Sequence, residues 1–294
     1  MNHIELLTPA GWTDYELIDS GDFEKLERFG RYVTARPEPQ AIWHKSLPEA
    51  EWRRLADATF RRDARSEERG EWQLRPGMPG QWWVEYGYKK MRLRMRLGLT
   101  SFKHVGLFPE QAGNWNYIYD RVSALGPGAS VLNLFAYTGG ATLAAAAAGA
   151  AVTHVDSVKQ VVSWARGNME ASGLAGVRWI VDDALKFVRR EVKRGRRYDG
   201  IILDPPAYGR GPDGERWILE QQIGELLEAC AQLLDPEHGF LVFNLYSMGF
   251  SAVLAKGIAN QLFGPCDDEQ MGELYFPDRA GKALPLGIYY RFSR

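Results

Sequence analysis

The sequence predicts an α/β protein: a doubly wound, seven-stranded, mostly parallel sheet over residues 100–294, preceded by a small β-rich domain over residues 1–99. Three observations carry this. From about residue 116, short apolar runs alternate with segments of helical period, which implies a parallel sheet covered by helices on both faces. Four of those runs end in a turn or a carboxylate: Phe135-Ala-Tyr-Thr-Gly-Gly140, Asp156, Asp182-Asp183 and Asp204-Pro-Pro206. The first 99 residues lack that alternation; they are rich in Trp, Arg and Glu, and their apolar runs are short.

In the N-terminal region, residues 15–18 and 31–34 read as strands separated by the turn-prone Ser20-Gly21-Asp22, and Pro37 and Pro39 break any regular element after them. Residues 81–97 read as a hairpin around Gly87. Within it Met91, Leu93, Met95 and Leu97 alternate with Arg92, Arg94 and Arg96, so arginines take one face and apolar side chains the other.

The C-terminal elements follow in order. A helix is expected over 116–125, a strand over 130–135 and a helix over 139–148, whose alanines suit close packing on a sheet. A strand over 153–156 leads to a helix over 158–171, closed by Gly173. Strand 177–181, helix 184–193 and strand 199–203 come next, then a Gly/Pro loop and a helix through Leu234. A fifth strand over 239–244, a helix over 250–262 and two closing strands, 273–276 and 285–292, complete the pattern. The closing strands can pair antiparallel.

Composition narrows the function classes. Hydrophobic content of 45% with 25% charged residues is that of an ordinary globular protein. A formal net charge of −1 excludes a global basic field, so any nucleic-acid contact must come from a local patch. Cys230 and Cys266 have neither disulfide nor zinc spacing, and His44, His104 and the other histidines show no metal-ligand spacing, so no metal is implied. The first residues carry no apolar leader, and the run from Ala144 to Ala151 is too short to cross a bilayer. The chain reads as cytoplasmic, with no membrane partner.

In an open parallel sheet, ligands bind in the crevice outside the carboxyl ends of the strands. The turn after the first of these strands lacks the three glycines that a pyrophosphate needs, but its carbonyls and N–H groups can hold an amino-acid moiety. Asp156, at the end of the second strand, can accept both hydroxyls of a ribose; it could instead cap the following helix, a task open also to Ser157. One of Asp182 and Asp183 is expected to cap the next helix and the other to accept an adenine amino group. Asp183 is favoured for adenine, with Asp182 the solvated alternative. Asp204-Pro-Pro-Ala-Tyr208 is the sharpest feature. Its prolines leave carbonyls in a stiff extended loop, so Asp204 and the Pro205 carbonyl form an acceptor-only cup suited to an exocyclic amino group, with Tyr208 placed to stack on a flat ring.

With these motifs in order, residues 100–294 resemble class I S-adenosylmethionine-dependent methyltransferases, and within them the branch of large-subunit ribosomal-RNA methyltransferases with an Asp-Pro-Pro-x-aromatic motif. The resemblance implies a Rossmann-like methyltransferase fold and S-adenosylmethionine as cofactor. It implies that Phe108 and Gln111, in the segment before the first strand, touch the cofactor. Asn133, Ala136, Tyr137, Thr138 and Gly139 would hold the methionine end, Asp156 with Ser157 the ribose, and Asp183 with Ala184 the adenine. Asp204 and Pro205 would face the methyl group and the acceptor, and Asn168 would support the Asp204 region. Relatives that methylate cytosine C5 place a nucleophilic cysteine just after the fifth strand; this chain has Asn244-Leu-Tyr-Ser247 there. Covalent cysteine catalysis therefore lacks its nucleophile, and Ser247 is a poor substitute without an activating base.

The expected activity is direct methyl transfer to a base nitrogen of RNA, ribosomal RNA above all. A basic stretch of Arg61, Arg62, Arg65, Arg69, Arg75 and residues 89–96, interleaved with Trp72, Trp82 and Trp83, suits RNA. With Glu67, Glu68 and Glu71 close by, a solvated arginine face over buried tryptophans explains it equally well. Two other functions fit the same motifs: a small-molecule or protein methyltransferase, and a non-catalytic RNA-binding or assembly factor that keeps the cofactor groove.

Overall fold

The computed structural model describes residues 3–63, 69–246, 249–264, 266 and 268–294. The elements begin with β1 (Ile4–Leu7), β2 (Tyr15–Gly21), β3 (Glu24–Phe29), β4 (Tyr32–Pro37), α1 (Glu49–Leu55), β5 (Ala58–Arg62), β6 (Gly70–Leu74), β7 (Gln81–Tyr88) and β8 (Met91–Gly98). They continue with α2 (Ala112–Leu125), β9 (Ser130–Leu134), α3 (Gly140–Ala147), β10 (Ala151–Asp156), α4 (Lys159–Ala171), β11 (Val177–Val181), α5 (Ala184–Lys193) and β12 (Gly200–Leu203). The last are β13 (Tyr208–Arg210), β14 (Arg216–Ile218), α6 (Leu219–Leu233), β15 (Phe240–Leu245), α7 (Ala252–Phe263), β16 (Asp268–Pro277) and β17 (Ala283–Ser293). Arg65, Glu67, Glu68 and Ser247 lie outside the described residues.

Two compact units share the chain. The larger holds the residues up to Leu7, Gln111–Leu274 and Gly287–Arg294; the smaller holds Thr8–Glu110 and Tyr275–Leu286. The chain thus changes unit after Leu7, Glu110, Leu274 and Leu286, where composition pointed to a single junction near residue 100.

The smaller unit contains a five-stranded sheet in the order β2-β3-β4-β5-β6 and the separate hairpin β7–β8. Strand β3 is absent from the sequence reading because Glu24-Lys-Leu-Glu-Arg-Phe29 is dominated by charge. Its central carboxylate is nevertheless fully buried: Glu27 takes Arg36 Nε at 2.7 Å and the Tyr15 hydroxyl at 2.8 Å. Pairing makes burial of that carboxylate tolerable. The β2–β3 turn falls at Asp22-Phe23, both at positive φ (51° and 63°). In the β7–β8 hairpin Met91, Leu93, Met95 and Leu97 are buried, as alternation requires. Its turn lies at Lys89-Lys90 and not at Gly87, which pairs with Arg92.

In the larger unit the strands form one sheet in the order β1-β16-β17-β15-β12-β9-β10-β11. Seven of these correspond to the expected strands; β1 adds an eighth by parallel pairing with β16. Strands β9, β10, β11, β12 and β15 pair in parallel, and β17 runs antiparallel to β15. Val-, Ile- and Leu-rich runs such as Gly200-Ile-Ile-Leu203 are buried on both faces, as a covered parallel sheet demands. Their side chains join Phe187, Leu226, Leu227 and Phe243 in one core. The Ala-rich helix α3 packs closely on α2: a Cβ on Gly140 would come within 2.5 Å of the Trp115 ring. Among the described residues no helix is long and apolar enough to cross a membrane.

Candidate active site

Parallel register lines up the strand ends of the larger unit. Leu134 is level with Val155 and with Leu203, Leu203 with Phe243, and Asp156 with Val181. The turn at 135–139, Asp156, Asp182-Asp183 and Asp204-Pro205 therefore follow one edge of the sheet, with Asn244 near the same end of β15.

The turn after β9 has a backbone that ordinary side chains rarely adopt. Phe135 and Tyr137 sit at φ 55° and 50°, and Gly139 at 91°. Non-glycine residues held there store strain of about 1–3 kcal/mol each, so the surroundings must enforce it. Several groups do. The Tyr137 N–H donates to Asp156 Oδ2 (2.9 Å), the Ala136 N–H to the Val155 carbonyl (3.1 Å), and Asn168 Nδ2 to the Thr138 carbonyl (3.0 Å). Asn168 thus braces this turn. A Cβ on Gly139 would lie 3.1 Å from Ala165 Cβ, in addition to the strain of its positive φ.

Asp156 is partly buried at the end of β10. Oδ1 accepts the Val158 N–H at 3.0 Å while Oδ2 accepts that of Tyr137. Burial pushes its pKa up, opposed by the N–H groups of Val158, Tyr137 and Ser157. A carboxylate oxygen has two lone pairs, so each retains acceptor capacity beyond the backbone bond. Ser157, for its part, does not cap α4: the cap position is Val158, and no side chain fills that role.

Asp183, favoured from the sequence for adenine with the cap left to its neighbour, is itself the cap of α5, its Oδ1 accepting the Lys186 N–H at 2.8 Å. Asp182 is buried and not solvated: its carboxylate binds Arg190 and accepts the Asp183 N–H at 2.9 Å. Ala184 is buried behind them. Asn133 lies inside the sheet, donating from Nδ2 to Thr142 Oγ1 (2.9 Å), which in turn meets His154 Nδ1 (2.9 Å). Burial pushes the His154 imidazole down to about 3, so it stays neutral.

Asp204 leaves β12 partly buried, Pro205 is buried, and Pro206 and Tyr208 are exposed. The loop is fixed from behind. Trp217, buried on β14, donates from Nε1 to the Pro206 carbonyl at 2.7 Å, and the Leu219 N–H reaches the Ala207 carbonyl at 3.0 Å. That carbonyl of Pro206 is therefore engaged, while the cup drawn from the sequence used the one before it. Tyr208 pairs with Ile218 in the small β13–β14 hairpin, and the Arg216 guanidinium lies over its ring at 5.8 Å.

A buried amide network beside this loop escaped the sequence reading. Asn114 Nδ2 donates to Gln111 Oε1 and to Asn244 Oδ1, both at 2.9 Å. Asn244 Nδ2 reaches Gln111 Oε1 at 3.2 Å, Gln111 Nε2 binds the Tyr246 hydroxyl, and Arg291 donates to Asn114 Oδ1 at 3.0 Å. Its signal was an asparagine inside the otherwise apolar strand Phe240-Leu-Val-Phe-Asn-Leu245. Phe108 belongs to the smaller unit, where its ring meets His104 at 5.3 Å between centroids. Cys230 is fully buried within α6, with its thiol pushed up by burial, and Cys266 lies beyond α7. Among the described residues no three His, Cys, Asp or Glu side chains gather as a metal site.

A turn and a row of carboxylates thus lie along the carboxyl edge of a doubly wound sheet, the edge outside which such sheets bind ligands. The chain belongs to the S-adenosylmethionine-dependent methyltransferase family, whose profile matches residues 57–259. Its fold is similar to that of the S-adenosylmethionine-dependent methyltransferase from Agrobacterium tumefaciens, with a TM-score of 0.90 and 36% identity over 99% of this chain and 94% of that one. A putative methyltransferase from Streptococcus mutans shares the fold at 18% identity and a TM-score of 0.72, over 96% of this chain and 76% of that one. The ribosomal RNA large subunit methyltransferase K/L of Shewanella frigidimarina is 32% identical over 182 residues, 59% of this chain and 24% of that protein. The same-named protein of Syntrophotalea carbinolica is 33% identical over 152 residues, 50% of this chain and 20% of its own length. The chain thus aligns with a quarter or less of these curated relatives.

Proposed function

We propose that the protein transfers the methyl group of S-adenosylmethionine to a base nitrogen of RNA, ribosomal RNA above all, without a covalent cysteine intermediate. The observation that carries this reading is the Asp204-Pro205-Pro206 loop, held by Trp217 in the same row of strand ends as Asp156 and the turn after β9. The names of the Shewanella and Syntrophotalea relatives support RNA as the substrate class, and an RNA substrate implies a cytoplasmic setting.

S-adenosylmethionine supplies a methyl group already activated on a sulfonium, so the chain's task is placement. Asp156 fits the group: its remaining lone pairs can accept the two ribose hydroxyls while the backbone bonds keep the carboxylate oriented. Asp183 keeps Oδ2 for the adenine amino group while Oδ1 caps α5, with Ala184 against the ring. Ala136, Tyr137, Thr138 and Gly139 offer backbone groups to the amino-acid end while Asn168 braces their turn; Asn133 is taken up by Thr142 inside the sheet, and Gln111 would touch the cofactor from its network with Asn114. Asp204 and the Pro205 carbonyl would accept N–H bonds from the amino group to be methylated, and Tyr208 would stack on its base.

The test is mass mapping of modified nucleotides in RNA from cells with and without the protein. One methylated base that disappears with the protein is the expected result. Unchanged RNA methylation, with labelled methyl recovered in a metabolite or a protein, would establish another acceptor class. Cofactor binding with no turnover on any acceptor would mark a non-catalytic factor.

A further inference from the structure

The β7–β8 hairpin of the smaller unit carries more charge than its fold needs. Residues 81–98 contain five cations, Lys89, Lys90, Arg92, Arg94 and Arg96, against the single carboxylate of Glu85. Cross-strand pairing decides which way they face. Trp83 is opposite Arg96, Glu85 opposite Arg94 and Gly87 opposite Arg92, so these six share one face. The other face, with Trp82, Val84, Tyr86, Met91, Leu93, Met95 and Leu97, is buried. On the outward face Arg94 Nε lies 4.0 Å from Glu85 Oε1, and the cations of the hairpin exceed that one carboxylate.

That face is rigid. An isolated two-stranded hairpin is marginal in water, but this one is pinned to the rest of its unit. The Glu85 N–H donates to Asp14 Oδ2 at 2.8 Å, Trp12 Nε1 donates to the Glu85 carbonyl at 2.7 Å, and Trp82 Nε1 reaches the Phe29 carbonyl at 3.1 Å. Trp83 is 40% exposed, which is costly for so large an apolar side chain, and the Arg94 guanidinium lies over its ring at 5.2 Å. Arg92 lies across Gly87, with guanidinium-to-carbonyl bonds of 2.7 Å to its own turn at Lys89 and Met91. Elsewhere in the basic stretch Arg75 is bonded to the carbonyls of Arg53 and Arg54 at the end of α1, Arg61 Nε donates to Gln73 Oε1 at 3.2 Å, and the Trp72 ring meets Phe60 edge-to-face at 5.2 Å between centroids.

We infer that the outward face of β7–β8, built from Trp83, Arg92, Arg94 and the half-buried Arg96, is a docking surface for a single-stranded RNA segment. Cations that track phosphates and an aromatic ring on which a base can stack are the two features such a strand requires. The assignment deepens the proposed function and rests on its RNA substrate.

The test is fluorescence anisotropy of a labelled, mixed-sequence single-stranded RNA oligonucleotide over a range of salt concentrations. The full-length protein is compared with Trp83→Ala, Trp83→Phe, and triple variants carrying Gln or Lys at 92, 94 and 96. The Gln triple should weaken binding roughly tenfold or more, and the slope of log affinity against log salt should become shallower by about 2, near 0.7 for each lost phosphate contact. The Lys triple should retain most of the slope. Trp83→Ala should weaken binding about tenfold and Trp83→Phe much less. Thermal unfolding and S-adenosylmethionine affinity serve as folding controls. Methyl transfer to RNA by the unaltered protein is measured in parallel. If the unaltered protein methylates RNA but folded Gln-triple and Trp83→Ala variants bind the oligonucleotide as tightly as it does, the docking surface is wrong and the proposed function stands. If it neither binds nor methylates RNA, the proposed function fails and the docking surface with it.

Discussion

Asp156→Asn keeps the shape of the side chain and exchanges one oxygen for an amide nitrogen. In the unaltered protein each carboxylate oxygen takes one backbone N–H, from Val158 at 3.0 Å and Tyr137 at 2.9 Å. An amide has a single acceptor oxygen, so one of those N–H groups would face a donor. A lost hydrogen bond to a charged group costs about 1.5–3 kcal/mol, and relief of carboxylate burial offsets part of it, so stability should fall by about 1–2 kcal/mol. The ribose should suffer more: one hydroxyl loses its acceptor and the other exchanges a charged partner for a neutral one. Together that is about 2–4 kcal/mol, or roughly a thirtyfold to thousandfold weaker affinity. Burial also raises the Asp156 pKa. Affinity in the unaltered protein should therefore be full above that raised value and fall as pH drops through it, whereas the Asn variant should be flat across the same window. Calorimetric titration with S-adenosylmethionine and S-adenosylhomocysteine reads both effects, with thermal unfolding as the folding control. A folded Asn variant that binds both ligands within about threefold of the unaltered protein would refute the assignment of this carboxylate to the ribose.

In the smaller unit, burial raises Glu110 from 4.5 to about 7, against the pull of Lys25 and Arg36. Folding then takes up a proton between those values, so this group's contribution is present below the lower value and is lost as pH rises through the upper one. The loss amounts to about 3 kcal/mol. Glu110→Gln removes it: the variant should match the unaltered protein near pH ~5 and exceed its stability by about 2–3 kcal/mol near pH ~8 in denaturant titrations. Trp217→Phe deletes the 2.7 Å bond to the Pro206 carbonyl; it should cost about 1–2 kcal/mol of stability and slow methyl transfer, while leaving cofactor affinity within about twofold in calorimetry. The double variant Cys230→Ala, Cys266→Ser should keep its transfer rate, and a trapped adduct between RNA and either cysteine in the unaltered protein would contradict non-covalent transfer.

Much of the larger unit was legible because its signals are local. Apolar runs of four to six residues set the parallel strands, as at Gly200–Leu203, and Asp156, Asp183 and Asp204 sit at the strand ends where their spacing put them. What stayed hidden depends on partners distant in sequence. The charged strand Glu24–Phe29 becomes tolerable only when Arg36 and Tyr15 neutralise Glu27. Strand β1 needs Met271–Leu274 to pair with, and Asp182 is buried only because Arg190, two turns along α5, meets it. The hairpin turn at Lys89 was misplaced because glycine attracts a turn assignment, whereas pairing across eight residues on each strand fixes Gly87 inside the ladder. The Gln111–Asn114–Asn244 network joins a helix start to a strand end 130 residues away, a relation no periodicity carries.

The central claim is that Asp204 orients the acceptor in a site whose cofactor is held by other residues. Single-turnover transfer of labelled methyl from saturating S-adenosylmethionine to ribosomal RNA, with cofactor affinity titrated separately, tests it most directly. For Asp204→Ala the account predicts cofactor affinity within about threefold of the unaltered protein, and a transfer rate lowered by roughly a hundredfold or more, as expected for loss of a group that positions the reacting atom. An intact single-turnover rate combined with weakened cofactor binding would contradict it, by placing this carboxylate with the cofactor and leaving the acceptor cup without its charged member.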